Sequence, residues 1–492
     1  MSTKFIRFVA VLAILVSIVG ITGVARADPA GEKTAAAASS STSPSISPWL
    51  KGWADENTSV HLGYYPSIAY NPADGLPYIS YYDAVLKNLM LTSPTTSASN
   101  CGDNNLWWCR VVDGNSSLSG KTNGDVGQFS SIAFWSGTIG ILPGWKLGIS
   151  YHDASNHALK VAVWTQTALG GSWKYTIIAS TDNSVHSGNE VGTYTSLKFS
   201  SGGTPYIAYY SHLYSTFLSN YIGSLYLARQ VASGGNCGVG ADAGKWQCDT
   251  IEFSPGTGMG LYASLGLGYN NVPYMSYYDA FNGDLKYAHY DGPGTGDCYS
   301  GSDYSCMTID STGNVGLFTS LTAPRSSTDK PRIAYYDKTN GELKYAIPSA
   351  SGQHCVAGWY CEAIRTIGAN LTQVGISMAL DDEGRPIIAY QDASNDPGPA
   401  VLSVARPNAA SGVLIGNCGD GGGGLFFDWV CDYVDNAAYG IGNVSLADYT
   451  AVAVSPNGLA TIAYLETDSY NNTDHLKVAY QRLQVFLPLI IR

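Results

Sequence analysis

The chain has 492 residues, 26 Lys and Arg against 38 Asp and Glu, and a formal net charge of −12. An acidic balance with no basic run interleaved with aromatics argues against nucleic acid as a partner. Only 13% of residues are charged, against about 25% in an average protein, while Tyr numbers 35 and Gly 56, a composition of turns and strands.

The chain opens as a secretory signal. Lys4 and Arg7 precede an apolar run from Phe8 to Val24, and Ala25-Arg26-Ala27 forms an A-x-A cleavage site. Cleavage there is the expectation, with an uncleaved anchor as the alternative; removal of residues 1–27 takes the charge from −12 to −15 through loss of Lys4, Arg7 and Arg26. Residues 28–48, rich in Ala, Ser, Thr and Pro, are expected to be a spacer without a core. No later stretch approaches the roughly 20 apolar residues of a membrane helix.

From here the chain repeats itself. PYISYYD (77–83) returns as LGISYHD (147–153), PYIAYYS (205–211), PYMSYYD (273–279), PRIAYYD (331–337), PIIAYQD (386–392) and ATIAYLE (460–466). Such self-similarity decides the architecture before any single residue does. In the fifth unit TSLTA (319–323) reads as a first strand and RIAYYD (332–337) as a second. Asn340-Gly341 makes the hairpin turn, ELKYAI (342–347) a third strand, and the segment around Trp359 and Cys361 a fourth. Seven units of four antiparallel strands describe an all-β, seven-bladed β-propeller over 49–484. The seventh unit ends after its third strand, HLKVAYQ (475–481), while WLKGWAD (49–55) stands unpaired before the first. The aromatic-x5-acid spacing Trp49/Asp55 matches Trp107/Asp113, Trp246/Glu252, Tyr304/Asp310 and Trp429/Asp435 in outer strands; Trp359 has Arg365 instead. The N-terminal segment is thus expected to supply the missing outer strand and close the ring. Residues 485–492 (VFLPLIIR) are left as a short apolar tail.

Ten cysteines fall into local pairs, each expected to bracket the loop between third and fourth strands: Cys101/Cys109, Cys237/Cys248, Cys298/Cys306, Cys355/Cys361 and Cys418/Cys431. Opposed residues of an antiparallel hairpin lie within disulfide range, so five bridges and an oxidising compartment are expected. Metal sites and cofactors are not: the pairs belong to different blades, and the histidines show no ligand spacing.

Repeated polar positions divide by role. Asp83, Asp153, Asp279, Asp337 and Asp392 end the second strand at a tight turn, where a carboxylate accepts backbone N–H groups. Ser67, Ser131, Ser196, Ser264, Ser320 and Ser377, with Ala451 in the last unit, follow the inner strand and suit its crowding. Lys160, Lys286, Lys344 and Lys477 are polar third-strand positions near the turn Asp. The outer-strand aromatics Trp49, Trp107, Trp173, Trp246, Tyr304, Trp359 and Trp429 either cap the inter-blade layer or stack on sugar faces, and they are the candidate ligand-binding residues. No catalytic set emerges: no G-x-S-x-G elbow is present and no carboxylate pair departs from the repeat. Irregularities lie in SHLYSTFLSNYIG (211–223), SNDPGPA (394–400) and GVLIGNCGDGGGGLFFDW (412–429).

The pattern TSL…P-x-I-A-Y-Y-D…G-x-L-K-Y-A over 49–481 resembles that of secreted bacterial β-propeller proteins. It is more distantly similar to propellers of the fucose-lectin and sialidase superfamilies. The lectin side of the resemblance implies sugar pockets between adjacent blades. The expectation is a monomeric, secreted or surface-associated, non-enzymatic propeller binding a glycan or an extracellular protein. A carbohydrate-active hydrolase and a structural envelope scaffold are the alternatives.

Overall fold

The computed structural model describes residues 48–482 apart from 57–59, 98, 117–119, 182–188, 257, 351, 353, 395–398, 409–416, 419–427 and 437–443. The signal and tail segments, His186 and most of the glycine-rich loop lie outside the described residues, as do parts of 394–400.

Seven four-stranded antiparallel sheets form the ring, with blades at 62–113, 126–180, 190–255, 259–310, 315–366, 376–435 and 444–481. The strand Trp49–Asp55 pairs with Thr473–Gln481 (Trp49 opposite Gln481, Lys51 opposite Ala479) and is the outer strand of blade seven. The ring is closed by its two ends, as the aromatic-x5-acid spacing predicts. No helix among the described residues is long and apolar enough to cross a membrane.

Five disulfides join the predicted partners: Cys101–Cys109, Cys237–Cys248, Cys298–Cys306, Cys355–Cys361 and Cys418–Cys431. Their placement differs from the expectation, however. The pairs do not bracket the loop, and they do not join opposed residues of the third and fourth strands. Cys248, Cys306 and Cys431 lie inside the fourth strands Trp246–Pro255, Tyr304–Asp310 and Trp429–Asp435, as Cys109 and Cys361 do in theirs. Opposite them on the third strand stand Ala228, Ala288 and Ala405, not cysteines. Their partners Cys237, Cys298 and Cys418 sit in the loop itself, which folds back along the outer strand. The reason is the free outer edge of that strand, which leaves backbone N–H groups for the loop to satisfy. The N–H of Cys109, Cys248, Cys306 and Cys431 donates to Asn100, Asn236, Asp297 and Asn417, the residue just before each loop cysteine, at 2.7–2.8 Å. Cys248, Cys306 and Cys431 are accordingly half-buried at the rim, whereas Cys109 and Cys361 are buried. Each bridge thus pins a loop onto an edge strand and covers that edge.

Repeated contacts between blades explain the repeat. On the inner strands, each serine hydroxyl accepts the backbone N–H of the next blade. Ser67 receives Ile132, Ser131 receives Leu197, Ser196 receives Leu265, Ser264 receives Leu321, Ser320 receives Met378 and Ser377 receives Val452, at 2.9–3.1 Å. Ala451 has no hydroxyl to offer Ile68, so this belt is interrupted between blades seven and one.

A second set of contacts locks the periphery. The outer-strand acid of one blade receives a Tyr hydroxyl and a Lys ammonium from the next. Asp310 Oδ2 accepts Tyr335 Oη at 2.8 Å and Lys344 Nζ at 2.6 Å. Asp113 takes Tyr151 and Lys160, Glu252 takes Tyr277 and Lys286, and Asp435 takes Tyr464 and Lys477. The lysines therefore bond first to the preceding blade, with the turn Asp further away: Lys344 is 3.7 Å from Asp337 and Lys160 is 3.6 Å from Asp153. Where the acid changes, its partners change with it. Blade two has Ala179 at that position, and blade three answers with Tyr226 stacked on Tyr209 at 5.2 Å. Blade five has Arg365, and blade six carries Ser403 in the lysine position while Arg365 turns to Asp392 at 2.8 Å.

The turn aspartates accept local backbone N–H groups: Asp83 from Val85 and Leu86, Asp153 from Asn156, Asp279 from Phe281, Asp337 from Asn340 and Asp392 from Ser394. The 211–223 insertion lengthens the hairpin between Pro205–Ser215 and Asn220–Gln230 and exposes Phe217 at its tip.

Candidate functional site: an aromatic collar at the channel mouth

The inner strands begin with an unusual backbone. In five blades a glycine with positive φ (Gly63, Gly127, Gly192, Gly260 and Gly316) lies against the third-strand leucine of the preceding blade. A Cβ at Gly127 would stand 2.7 Å from Leu89 Cα, and one at Gly316 2.6 Å from Leu285 Cα, so only glycine allows that approach. Two residues later comes an aromatic that also has positive φ: Tyr65, Phe129, Tyr194, Tyr262 or Phe318. Bulky residues rarely adopt this region, and their clustering in one ring marks a site that the surrounding structure holds in place. Blade seven contributes Tyr449, with Ala447 (φ 69°) in the glycine position.

These six rings form a collar. Centroid separations run Tyr449–Tyr65 4.7 Å, Tyr65–Phe129 4.5 Å, Phe129–Tyr194 4.5 Å, Tyr194–Tyr262 4.9 Å and Tyr262–Phe318 4.4 Å. Neighbouring planes are inclined by 41–69°, so the rings overlap as a fan. A second ring lies behind the first: Tyr82, His152, Tyr210, Tyr278 and Tyr336 each stand 6.1–6.5 Å from the collar residue of their own blade.

Both rings break at the same place. In blade six the collar position is Gly375, whose N–H donates to Ala447 O at 3.1 Å. A Cβ there would meet that oxygen at 2.3 Å, so no aromatic fits without moving backbone. The second-ring positions of blades six and seven are Gln391 and Leu465. Into the break come Asp448, Gln373 and Gln391. Gln391 Nε2 donates to Asp448 Oδ1 and Ser445 Oγ donates to the same oxygen at 3.2 Å, while Gln373 Nε2 donates to the Asp448 carbonyl at 3.2 Å. Burial, reinforced by the charge of Asp474, holds the Asp448 carboxyl above the usual carboxylate range, even though Gln391 and Ser445 pull the other way. Asp474 is itself bound by Tyr64 Oη at 2.5 Å and His61 Nδ1 at 2.8 Å.

Collar and break enclose a cavity of about 290 Å³, close to the lower end of small-ligand sites at roughly 300 Å³. Among the described residues of its lining, Asp448 is the one carboxylic acid, and no basic residue joins it.

The outer-strand aromatics lie elsewhere. Trp49, Trp107, Trp246, Tyr304, Trp359 and Trp429 are between 1% and 6% exposed, and Trp173 is half-buried against Trp164 and Tyr175. Their hydrophobic faces are spent on inter-blade packing, as where Trp359 meets Tyr287 at 5.1 Å and Trp429 meets Tyr345 at 5.2 Å. For the six buried rings the expectation of ligand contact gives way to a packing role, because a buried face cannot stack on a sugar; Trp173 packs on Trp164 and Tyr175 with part of its surface still exposed. Among the described residues, one compact group could hold a metal by type, Asp55 with Cys101 and Cys109, and both cysteines are spent in a disulfide.

No family model matches the chain, and no curated protein matches it either. Solved structures similar to it include an α-L-arabinofuranosidase, Arb93A from Fusarium graminearum (11% identity, TM-score 0.43, covering 73% of this chain and 96% of that one). Others are the polysaccharide lyase Uly1 (11%, TM-score 0.45, 87% and 91%) and the WD40 domain of SCAP from fission yeast (5%, TM-score 0.36, 88% and 88%). At such identities and TM-scores no activity passes from them to this chain.

Proposed function

We propose that this chain acts outside the cell as a glycan-binding propeller, with the sugar taken at the aromatic collar rather than between blades. The observation that carries this reading is the break. A collar that serves only to plug the channel has no need of a buried carboxyl and two amides gathered at one interruption. Aromatic rings offer apolar faces and edges to the C–H surface of a sugar, while Asp448, Gln373 and the tyrosine hydroxyls offer partners for its hydroxyls. Substituting Tyr262 or Tyr194 by Ala should reduce glycan binding at least tenfold; unchanged binding in both variants removes the collar from the site.

A second reading is favoured by the carboxyls. Glycoside hydrolysis pairs an acid held protonated with a second carboxylate. Asp448, raised by burial, lines the cavity, and Asp474, held outside that lining by Tyr64 and His61, is the neighbouring carboxylate whose charge reaches it. In that case polysaccharide turnover is measurable and Asp448→Asn abolishes it, whereas a pure binding protein shows no turnover in either form.

A further inference from the structure

The chain has a recurrent way of satisfying a buried carboxylate next to a tyrosine ring. At Asp310 the Lys344 ammonium sits 2.6 Å from Oδ2 and 5.6 Å from the Tyr335 ring centroid. At Asp113, Lys160 is 2.7 Å from the carboxylate and 5.8 Å from Tyr151. At Asp435, Lys477 is 2.7 Å away and 5.7 Å from Tyr464. In each case a primary ammonium pairs with an anionic oxygen and also stands near the ring of the tyrosine that shares that oxygen, so Coulomb attraction and the ring quadrupole act on it together.

The collar repeats two of these three components. Asp448 supplies the carboxyl, and Tyr449, with Tyr65 at 4.7 Å and Tyr64 at 5.9 Å, supplies the rings. The side-chain donors to this carboxyl are neutral, Gln391 and Ser445, and the described lining of the cavity contains no Lys, Arg or His. Asp474 adds a second negative charge that acts on Asp448, and the chain as a whole is acidic. A cation is drawn to such a site and an anion is repelled.

Building on the glycan reading above, we infer that the collar selects a sugar carrying a protonated primary amine, such as a 2-amino-2-deoxy sugar at the end of an amino-polysaccharide. The ammonium sits at the break against Asp448, and the ring carbons of the sugar lie against Tyr65, Tyr449 and their neighbours. Acylating the amine removes the charge and adds bulk at the break, where the backbone of Ala447 and Thr450 already leaves no room for a Cβ on Gly375. Sugars bearing carboxylate or sulfate are excluded by Asp448 and Asp474.

Calorimetric titration of the oxidised chain with two oligosaccharides of equal length tests this, one of free 2-amino-2-deoxyglucose units and one of the same units N-acetylated. The pH is chosen so that the sugar amine is protonated while Asp448 is ionised. The free-amine form is expected to bind about tenfold tighter or better, since a hydrogen bond to a charged group contributes enough for that ratio. Asp448→Asn should bring the ratio to about one, with thermal unfolding checked alongside. Equal binding of the two forms by the native chain, or a ratio that survives Asp448→Asn, overturns the amine inference and leaves the glycan reading standing. Binding of neither form, nor of neutral or acidic glycans at the collar, overturns both.

Discussion

Lys344 offers the most direct test of how the blades are held together. Its ammonium lies 2.6 Å from Asp310 Oδ2 across the junction of blades four and five, and Asp310 is buried. Lys344→Met keeps most of the side-chain volume but leaves Asp310 with Tyr335 Oη and the Thr312 N–H. Breaking one partner of a buried ion pair costs about 3–5 kcal/mol, because the remaining carboxylate keeps its desolvation penalty. Replacing Asp310 by Asn in the same chain removes that charge, so the double variant should recover about half of the loss. The interaction energy in the cycle is the recovered amount, roughly 2 kcal/mol, plus whatever Asp310→Asn costs on its own. Urea unfolding under oxidising conditions measures all four forms, provided the slopes agree. A loss below about 1 kcal/mol for Lys344→Met, or strict additivity, would refute the view that these acids are inter-blade latches.

Three further outcomes follow from the same contacts. Glu362 is buried, accepts Trp429 Nε1 at 2.9 Å, and burial pushes its pKa up to about 7. A raised folded-state pKa means that its favourable contribution is complete below the ordinary glutamate range and is lost as pH rises through about 7. That loss is on the order of 3 kcal/mol, and Glu362→Gln should flatten the stability profile between about pH 4.5 and 7. Unfolding midpoints that depend on pH equally in both forms would contradict it. Ala451→Ser should complete the inner-strand belt by accepting the Ile68 N–H, adding about 1 kcal/mol in urea unfolding; no gain would mean that the other six hydroxyls contribute little. Gly127→Ala should cost more than about 2 kcal/mol, since its Cβ would press on Leu89 at a positive φ, and a near-neutral result would contradict the close approach of blades one and two.

The ring and its closure were legible in the sequence because the repeated elements are local. PYISYYD and its copies announce a strand, the Asn-Gly turn a hairpin, and Trp49/Asp55 the spacing of an outer strand in need of a blade. The cysteine partners were legible for the same reason, but the side of the strand they use was not. Spacing alone does not distinguish a bridge across a hairpin from one that pins a loop to an edge, as Cys248, Cys306 and Cys431 do. The partners of Asp310 were hidden, because a latch between one blade and the next joins residues whose proximity only closure creates. The collar was half legible. Tyr65, Phe129, Tyr194, Tyr262, Phe318 and Tyr449 occupy one register of the repeat, and Gly375 is its single departure. A lone tyrosine in a strand-rich chain reads as a strand residue, however, and nothing in the letters gives it a positive φ. The outer-strand tryptophans drew attention as large rings at the periphery, yet large apolar surface is also what an inter-blade layer buries first.

The measurement that tests the central claim most directly is a glycan screen of the native chain beside Tyr262→Ala and Trp107→Phe, with polysaccharide turnover followed in the same samples. The account predicts that glycan binding falls at least tenfold in the collar variant and persists when the buried Trp107 is conservatively replaced. Binding that survives loss of Tyr262 and disappears with Trp107 would contradict it and return the site to the spaces between blades.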